Sequence, residues 1–440
     1  MTHDGNDQAG DDATPVDRLV ERGMEQLIHA AHVAAPDELP GLVAEATSHF
    51  GATEAVIHLA DLQQRVLVPF APSQVPDAGE GPDALGVDST VAGRAFQQML
   101  RLTQGVPGDE HRVRAWLPLL NGTERLGVLG ITLPTAVLED AEATRRLERF
   151  ASVVTELVMT KTMYGDSIVR TRRTSPMSLA AEIQWSLLPP LTFVCEAVTV
   201  AGVLEPAYEV AGDSVDYAVD SERAHFAVFD GMGHGIVSAQ LISLVVAAYR
   251  NARRDGRSLS ETAAHIESAV TDVFRTESFA TALLCELDTT SGELTWLSAG
   301  HHAALLLRDG RLVRPLEVEP LLPLGLNRGL SQSFDVAVGT EHLQPGDMLL
   351  LYTDGIIEAR SPDGEFFGQD QLVDMVTRNL AAGLPAPETM RRVVHALLDH
   401  QVSALEDDAT LLLVEWHGAR GSRQEPGFPS VTGRRALHPG

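Results

Sequence analysis

The stretch Phe226-Ala227-Val228-Phe229-Asp230-Gly231-Met232-Gly233-His234-Gly235 carries an apolar, strand-like segment straight into an aspartate and then into a glycine-rich turn. A strand end fixes a carboxylate in place while the following turn exposes it, so the pattern marks both a sheet and a place where chemistry can occur. It recurs downstream. Leu349-Leu350-Leu351-Tyr352-Thr353 delivers Asp354, again followed by a glycine, Gly355, and Asp407-Asp408 stands just before the apolar run Thr410-Leu411-Leu412-Leu413-Val414. A fourth carboxylate, Asp213, follows Ala211-Gly212 shortly after a strand pattern that ends at Leu204.

Glycine after aspartate permits a tight turn and leaves the main-chain carbonyl open to a cation. Hard divalent ions such as magnesium and manganese take carboxylate, carbonyl and water oxygens. Four aspartates gathered without a cation would repel one another by roughly several kcal/mol in a partly buried site. Two metal ions about 3.5 to 4 Å apart, bridged by one carboxylate, would neutralise them and make a water acidic enough to attack phosphorus. Singly, the motifs have blander readings. Asp-Gly is a common turn dipeptide and Asp407-Asp408 reads as a solvated turn. The run 231–235 fails the dinucleotide-loop fingerprint, because Ile236 stands at the third glycine position. His234, His301 and His302 have no carboxylate at helical spacing and read as surface or hydrogen-bonding residues rather than ligands.

The chain has 440 residues, enough for two or three domains with buried cores. Hydrophobic residues make up 44% and charged residues 21%, a globular balance. Lys plus Arg number 33 against 61 Asp plus Glu, a formal net charge of -28. Such a surface repels phosphate backbones and anionic lipid, which argues against nucleic acid and membrane as partners and for cations or basic protein surfaces. Cys195 and Cys285 are too few for a disulfide framework or a cysteine metal site, and read as small buried hydrophobes. Residues 1–13 lack the apolar segment of a signal peptide. No apolar run approaches the roughly 20 residues of a membrane span, so a cytoplasmic location is expected.

Residues 1–15 and 418–440 are expected to be disordered from their Asp, Gly, Pro, Ser and Arg content. Residues 16–165 open with two helical patterns and the alternating strand Glu54-Ala55-Val56-Ile57-His58-Leu59. A strand at 65–70, a Pro/Gly loop at 71–86 of the lid or binding type, and a helix near Asp88 with Ser89 and Thr90 as caps follow. Strands at 112–120 and 125–133 meet at the turn Asn121-Gly122, and a long helix starts near Leu138. Leu147, Phe150, Val154, Leu157, Lys161, Tyr164 and Ile168 are spaced three and four apart, which fits a coiled-coil seam in a dimer or a helix packed on its own domain. Ser175-Pro176 reads as an N-cap and first helical residue, with Leu179, Ile183 and Leu187 following at four-residue spacing up to Pro189-Pro190. Residues 166–190 are therefore a helical connector.

Residues 191–417 show strands at 198–204, 225–229, 280–288, 294–298, 303–307, 334–338, 348–352 and 410–416, with helices at 235–250, 260–274, 371–380 and 386–400. Hairpins predominate over β-helix-β alternation, so the fold class is α+β, with antiparallel sheets flanked by helices.

In the first region, helices bracketing an antiparallel sheet, together with Arg125-Leu126-Gly127-Val128-Leu129-Gly130-Ile131, resemble a GAF sensor domain, which other small α+β folds can imitate. In the second, Val210-Ala211-Gly212-Asp213-Ser214-Val215-Asp216 is followed by Asp230-Gly231-Met232-Gly233-His234-Gly235, Ala280-Thr281, Ser298-Ala299-Gly300-His301-His302 and Leu324-Gly325. Pro345-Gly346-Asp347, Tyr352-Thr353-Asp354-Gly355-Ile356-Ile357-Glu358-Ala359 and Asp407-Asp408-Ala409-Thr410 complete the order. The set closely resembles the bacterial metal-dependent Ser/Thr phosphatases of the PPM type, in the stage II sporulation protein E-like branch that regulates sigma factors. Glu182-Ile183-Gln184-Trp185-Ser186-Leu187-Leu188-Pro189 resembles that branch's connector phrase.

The resemblance implies an α-β-β-α sandwich with two manganese or magnesium ions at one end. Carried over by position, Asp230 would bridge both ions, the Gly231 carbonyl and Asp213 would serve one side, and Asp354 and Asp407 the other; these four aspartates would be the catalytic set. Asp216 would touch metal or brace a loop, and His234 would give structural support in preference to proton transfer; the role of Asp408 stays open. Ala211 replaces a usual glycine, Ser214-Val215 replace bulkier residues and Ala303-Ala304 replace prolines, departures that bear on substrate fit and loop rigidity without removing a ligand. The implied function is a cytoplasmic protein serine/threonine phosphatase working by direct in-line attack with no phospho-enzyme. Its implied substrate is a phosphorylated anti-sigma factor antagonist in a partner-switching pathway. The GAF-like region, its signal unspecified, would gate the activity in a homodimer. Two rival readings are a catalytically weak partner-binding module and a metal-dependent nucleotide hydrolase, the latter without a basic or Gly-rich nucleotide cradle.

Overall fold

The computed structural model describes residues 15–71, 83–208, 212–274, 278–327, 336–401 and 407–418. The expected disordered tails lie almost wholly outside these residues, as does most of the Pro/Gly loop 71–86. The chain divides into two compact units, the first ending at Thr174 and the second beginning at Ser175.

The first unit contains α1 (Pro15–Ala31), α2 (Leu39–Ser48), β1 (Glu54–Ala60), β2 (Val66–Pro69), β3 (Leu85–Gly86), α3 (Val91–Gln98) and β4 (Leu102–Val106). It continues with β5 (Asp109–Asn121), β6 (Glu124–Pro134), α4 (Thr135–Glu139), α5 (Ala141–Thr162) and α6 (Ser167–Arg172). One six-stranded sheet runs in the order β3-β2-β1-β6-β5-β4. Strand side chains alternate between faces. Ile57, Leu59, Leu117, Leu129 and Ile131 accordingly pack with Val43 of α2 and Leu147, Phe150 and Val154 of α5 on one face. On the other, Ala60, Leu67, Trp116 and Val128 pack with Ala92, Ala95 and Phe96 of α3. Gly130 lets the Trp116 indole lie flat on the sheet, since a Cβ there would stand 2.6 Å from the ring. Beside α3 the indole helps to line a cavity of about 610 Å³, with Val56, His58, Gln104 and Arg114 among its other walls.

Leu147, Phe150, Val154 and Ile168 are fully enclosed in this unit's own core, and the Lys161 ammonium donates to the Ala34 carbonyl at 2.5 Å. Of the two readings of their spacing, packing on their own domain accounts for them. The connector is not a single rod: α5 stops at Thr162, α6 has six residues, and the next helix begins at Leu179. Its cap is Ser178, whose hydroxyl accepts the Ala181 N–H at 3.1 Å, and not Ser175.

The second unit opens with α7 (Leu179–Leu187), β7 (Thr192–Val194), β8 (Val198–Glu205), β9 (Asp213–Val219), β10 (Arg223–Gly231), α8 (Ile236–Arg254) and α9 (Leu259–Phe274). Then come β11 (Ala280–Asp288), β12 (Glu293–Ala299), β13 (Leu305–Arg308), β14 (Arg311–Pro315), β15 (Gly339–His342) and β16 (Met348–Tyr352). The unit closes with α10 (Asp354–Ile357), α11 (Gly368–Ala381), α12 (Ala386–His400) and β17 (Ala409–Trp416). Two sheets form, β15-β12-β11-β10-β9 and β14-β13-β16-β17-β8-β7. Their inner faces share one core in which Phe226, Val228, Leu283 and Trp296 meet Val200, Leu306, Leu351 and Leu412. Outside the first sheet, Phe229, Leu284 and Leu297 pack with Leu241, Ile242 and Val270 of α8 and α9. Outside the second, Leu350, Leu411 and Leu413 pack with Leu372, Val376, Val393 and Leu397 of α11 and α12. The result is the expected α-β-β-α sandwich. Cys285 lies between the sheets as a buried hydrophobe, its thiol pushed up to about 12 by burial.

Strands β7, β9 and β14 are additional to those expected from sequence, and one expected strand is displaced. Of the strand expected at 334–338, 334 and 335 lie outside the described residues and 336–338 are unpaired; β15 starts at Gly339, opposite Trp296. A Cβ at residue 339 would stand 2.3 Å from the Trp296 indole, so glycine is what lets the edge strand approach there. Strand β9 was hidden in sequence by its polar residues Asp213, Ser214 and Asp216, all of which are buried.

Phe226 has no exposed surface and sits between the sheets. Phe226→Ala is expected to cost about 3–5 kcal/mol and to lower the thermal midpoint of the second unit by roughly 10 °C in calorimetry.

Candidate metal centre

Asp213 opens β9 and stands directly opposite Asp230, near the end of β10, in antiparallel register. Asp354 is the first residue of α10, immediately after Thr353 and β16, and Asp407 lies two residues before β17. Each is placed by the end of a strand, two in each sheet. Hydrogen bonds stitch the sheets together at this end. The Thr353 hydroxyl donates to Asp213 Oδ2 at 2.6 Å and accepts the Thr410 N–H at 3.0 Å. Asp408 Oδ2 accepts the N–H groups of Gly212 and Asp213 at 2.5 and 3.0 Å. The Gly231 N–H donates to the Gly212 carbonyl at 2.7 Å.

The electrostatics report one cluster. Burial pushes the Asp230 carboxyl up to about 7, reinforced by Asp354, Asp407 and Asp408. Burial, then Asp408 and Asp230, hold Asp213 well above the usual carboxylate range. Asp407 is raised by burial and by Asp354 and Glu358, and Asp408 is pushed up to about 6, again mainly by burial. Among the described residues, none of these five aspartates is ion-paired with an arginine, lysine or histidine. Asp216 is the opposite case: its carboxylate, 1% exposed, takes Arg250 at 2.7 Å and Arg253 at 2.9 Å. Of the two roles left open for it, that geometry is a brace onto α8.

The glycines do work different from the expected open turns. Gly355 lies within α10, and a Cβ on it would fall 1.9 Å from the Asp408 carbonyl, so its bareness lets two backbone segments touch. The Gly231 carbonyl accepts the Ser238 hydroxyl at 3.1 Å, leaving one of its lone pairs. His234 is exposed on the loop after Asp230. Sequence reasoning missed three polar residues, Thr353, Thr281 and Gln184, whose side chains reach Asp213 or Asp230; nothing but their adjacency to the motifs signals them. The Gln184 amide donates to the Asp213 carbonyl at 2.6 Å.

As the side chains stand, no three His, Cys, Asp or Glu groups among the described residues form a ready-made ion cage. The donor chemistry nevertheless fits a hard divalent cation: only oxygen ligands, unpaired with bases, one of them the buried Asp408 Oδ1 that lacks any hydrogen-bond partner.

Residues 220–417 match the family model described as Stage II sporulation protein E (SpoIIE). Phosphoserine phosphatase RsbU of Bacillus subtilis (strain 168) is 26% identical over 241 residues, covering 54% of this chain and 70% of RsbU. Phosphoserine phosphatase RsbP of the same organism is 26% identical over 247 residues, covering 54% of this chain and 57% of RsbP. Protein IcfG of Synechocystis sp. is 24% identical over 262 residues, and the match spans only 40% of its length. Among solved structures, the SiaA-PP2C domain of Pseudomonas aeruginosa is similar at a TM-score of 0.45 and 23% identity, over 54% of this chain and 94% of that one. The phosphatase domain of SpoIIE from Bacillus subtilis, with a fragment of its regulatory domain, has a TM-score of 0.42 and 21% identity, over 50% of this chain and 63% of that one. The family match lies within the second unit and takes in Asp230, Asp354 and Asp407, with Asp213 just before it.

Proposed function

We propose that this chain is a metal-dependent protein serine/threonine phosphatase whose centre is built from Asp213, Asp230, Asp354, Asp407 and the Gly231 carbonyl. The observation that carries the reading is the convergence of four aspartates, from the ends of strands in both sheets, into one cluster without a basic partner. Asp230, with Asp213 and the Gly231 carbonyl on one side and Asp354 and Asp407 on the other, would hold two manganese or magnesium ions. The bound ions supply Lewis-acid activation of water and a clamp on the phosphoryl oxygens. The protein's own part is to hold the ligands: Thr353 fixes one oxygen of Asp213, and Asp408 fixes the backbone that carries it. Among the described residues neither cysteine stands in the acid cluster: Cys285 lies in the core between the sheets and Cys195 packs against that core.

Beside the acids, Met232, Ile236 and Val237 are 42%, 45% and 56% exposed. Apolar surface there suits a protein substrate better than a nucleotide. The relatives named phosphoserine phosphatase support a phosphoserine protein, and we assign the phosphorylated anti-sigma factor antagonist of a partner-switching pathway as substrate. The first unit acts as a GAF-like sensor that gates the phosphatase in a cytoplasmic homodimer. Its cavity beside Trp116 supports the sensing role.

With manganese the full chain is expected to release phosphate from p-nitrophenyl phosphate and from a phosphorylated antagonist, with nucleoside triphosphates left intact. Asp230→Asn or Asp354→Asn should lower the rate at least about a hundredfold with the fold retained in circular dichroism. Wild-type turnover that persists in chelator, or in both variants, would refute the assignment.

A second expectation concerns pH. Asp230 has a folded pKa of about 7, above the roughly 3.9 of an unfolded aspartate. Its protonation therefore stabilises the metal-free fold fully below about pH 4, and that contribution is lost as pH rises through about 7. Between pH 5 and 8 the metal-free midpoint of the wild type should fall at least about 3 °C further than that of Asp230→Asn, and millimolar manganese should remove the difference. Equal pH dependence in the two proteins would count against a strained acid cluster.

A further inference from the structure

Thr281 faces Asp230 across the β10–β11 ladder. Its hydroxyl lies 2.6 Å from His301 Nδ1 and 3.5 Å from Asp230 Oδ2. On the far side of the ring, His301 Nε2 lies 3.1 Å from the Tyr352 carbonyl, two residues before Asp354. The histidine's own carbonyl accepts the Ser298 hydroxyl at 2.9 Å, which fixes the turn that carries it. Next to it, the His302 ring stacks on Tyr352 with centroids 5.8 Å apart.

The partners and the burial of the ring assign where the protons sit. A carbonyl can only accept, so Nε2 of His301 carries the hydrogen. Burial, with a smaller push from His302, lowers the ring's pKa to about 4. A neutral imidazole protonated on Nε2 has only a lone pair at Nδ1, so the short contact must be the Thr281 hydroxyl donating to it. A hydroxyl has one proton. With that proton engaged at the 2.6 Å contact, the 3.5 Å contact to Asp230 Oδ2, the longest and weakest that the hydroxyl could donate to, is left without it. Asp213 contrasts with it, since one of its oxygens is a firm acceptor for Thr353.

We propose that His301 and Thr281 are positioning residues for Asp230: by engaging the threonine proton, the imidazole keeps the facing carboxylate oxygen free of an internal donor and available to a cation. This inference rests on the reading of Asp230 as the bridging ligand. The histidine pair, which sequence spacing excluded as ligands, gains a role one step behind the metal.

The test is manganese binding by the full chain, followed by titration calorimetry, with thermal melts confirming that each variant folds. In His301→Gln the amide nitrogen can still donate to the Tyr352 carbonyl, but no acceptor remains at the Nδ1 position, and Thr281 is released to donate to Asp230. Its dissociation constant for manganese is expected to rise about tenfold. His301→Asn keeps an oxygen acceptor for Thr281 and is expected to stay within about threefold of wild type. Thr281→Val removes the donor altogether, so the double variant Thr281→Val/His301→Gln should bind manganese more tightly than His301→Gln alone, returning to within about threefold of wild type. A double variant as weak as His301→Gln, or weaker, overturns the proposal, because residues serving only as packing would show additive losses. Failure of the wild type itself to bind manganese overturns the metal centre, and this inference with it.

Discussion

Acids without counter-charges are the constraint around which the second unit is arranged. Burial and neighbouring acids, Asp354 among them, raise the proton affinity of Asp213, Asp230, Asp407 and Asp408, and burial of Asp213 and Asp408 removes the water that would otherwise screen them. A few residues away Asp216 is equally buried, yet it is neutralised by two arginines from α8. The fold therefore has arginines at hand and uses them on the acid that braces it. Leaving the other acids unpaired is a local property of the site and not a consequence of a chain with few basic residues.

Keeping such a cluster together against its own repulsion requires fixed backbone, and the sandwich supplies it from both sides. Asp408 serves as an internal cap for the Gly212 and Asp213 N–H groups, Thr353 spans from the second sheet to Asp213, and Gly355 lets α10 press against the Asp408 carbonyl. Each of these links joins one sheet to the other or one motif to the next. Motifs separated by up to about two hundred positions in the chain, such as Gly212 and Asp408, which are 196 positions apart, are thereby made neighbours.

Much of this was legible in the sequence, for reasons that the structure makes plain. Apolar strands ending in aspartate gave away β10 and β16, because inner and outer sheet faces are both covered and their side chains must be apolar throughout. The same logic hid β9: it begins inside the acid cluster, and Asp213, Ser214 and Asp216 read as polar loop although all three are buried. The heptad-like spacing of α5 and α6 was ambiguous because one apolar stripe looks alike whether it faces a second chain or a sheet; here Phe150 and Val154 face the sheet of the first unit. Hydrogen-bond partners such as Thr281 and His301 were beyond sequence reasoning, since a hydroxyl's direction is decided by a strand register and a turn, not by residue type.

The short helix before the sandwich carries the same physical theme one layer out. Helix α7 lies on α8 through Ala180 and Ile183 against Ala239, and Trp185 anchors it by donating to the Ala207 carbonyl at 2.9 Å. From that seat Gln184, 2% exposed, sends its amide N–H to the Asp213 carbonyl. Its own Oε1 is buried without a partner, an arrangement that costs about 1–3 kcal/mol in desolvation and that a helix used only for packing has no reason to keep. The backbone of an unpaired, strained aspartate is thus bonded on one side to Asp408 and on the other to a helix outside the two sheets. A displacement of α7 along α8 would break that bond or carry the Asp213 backbone with it.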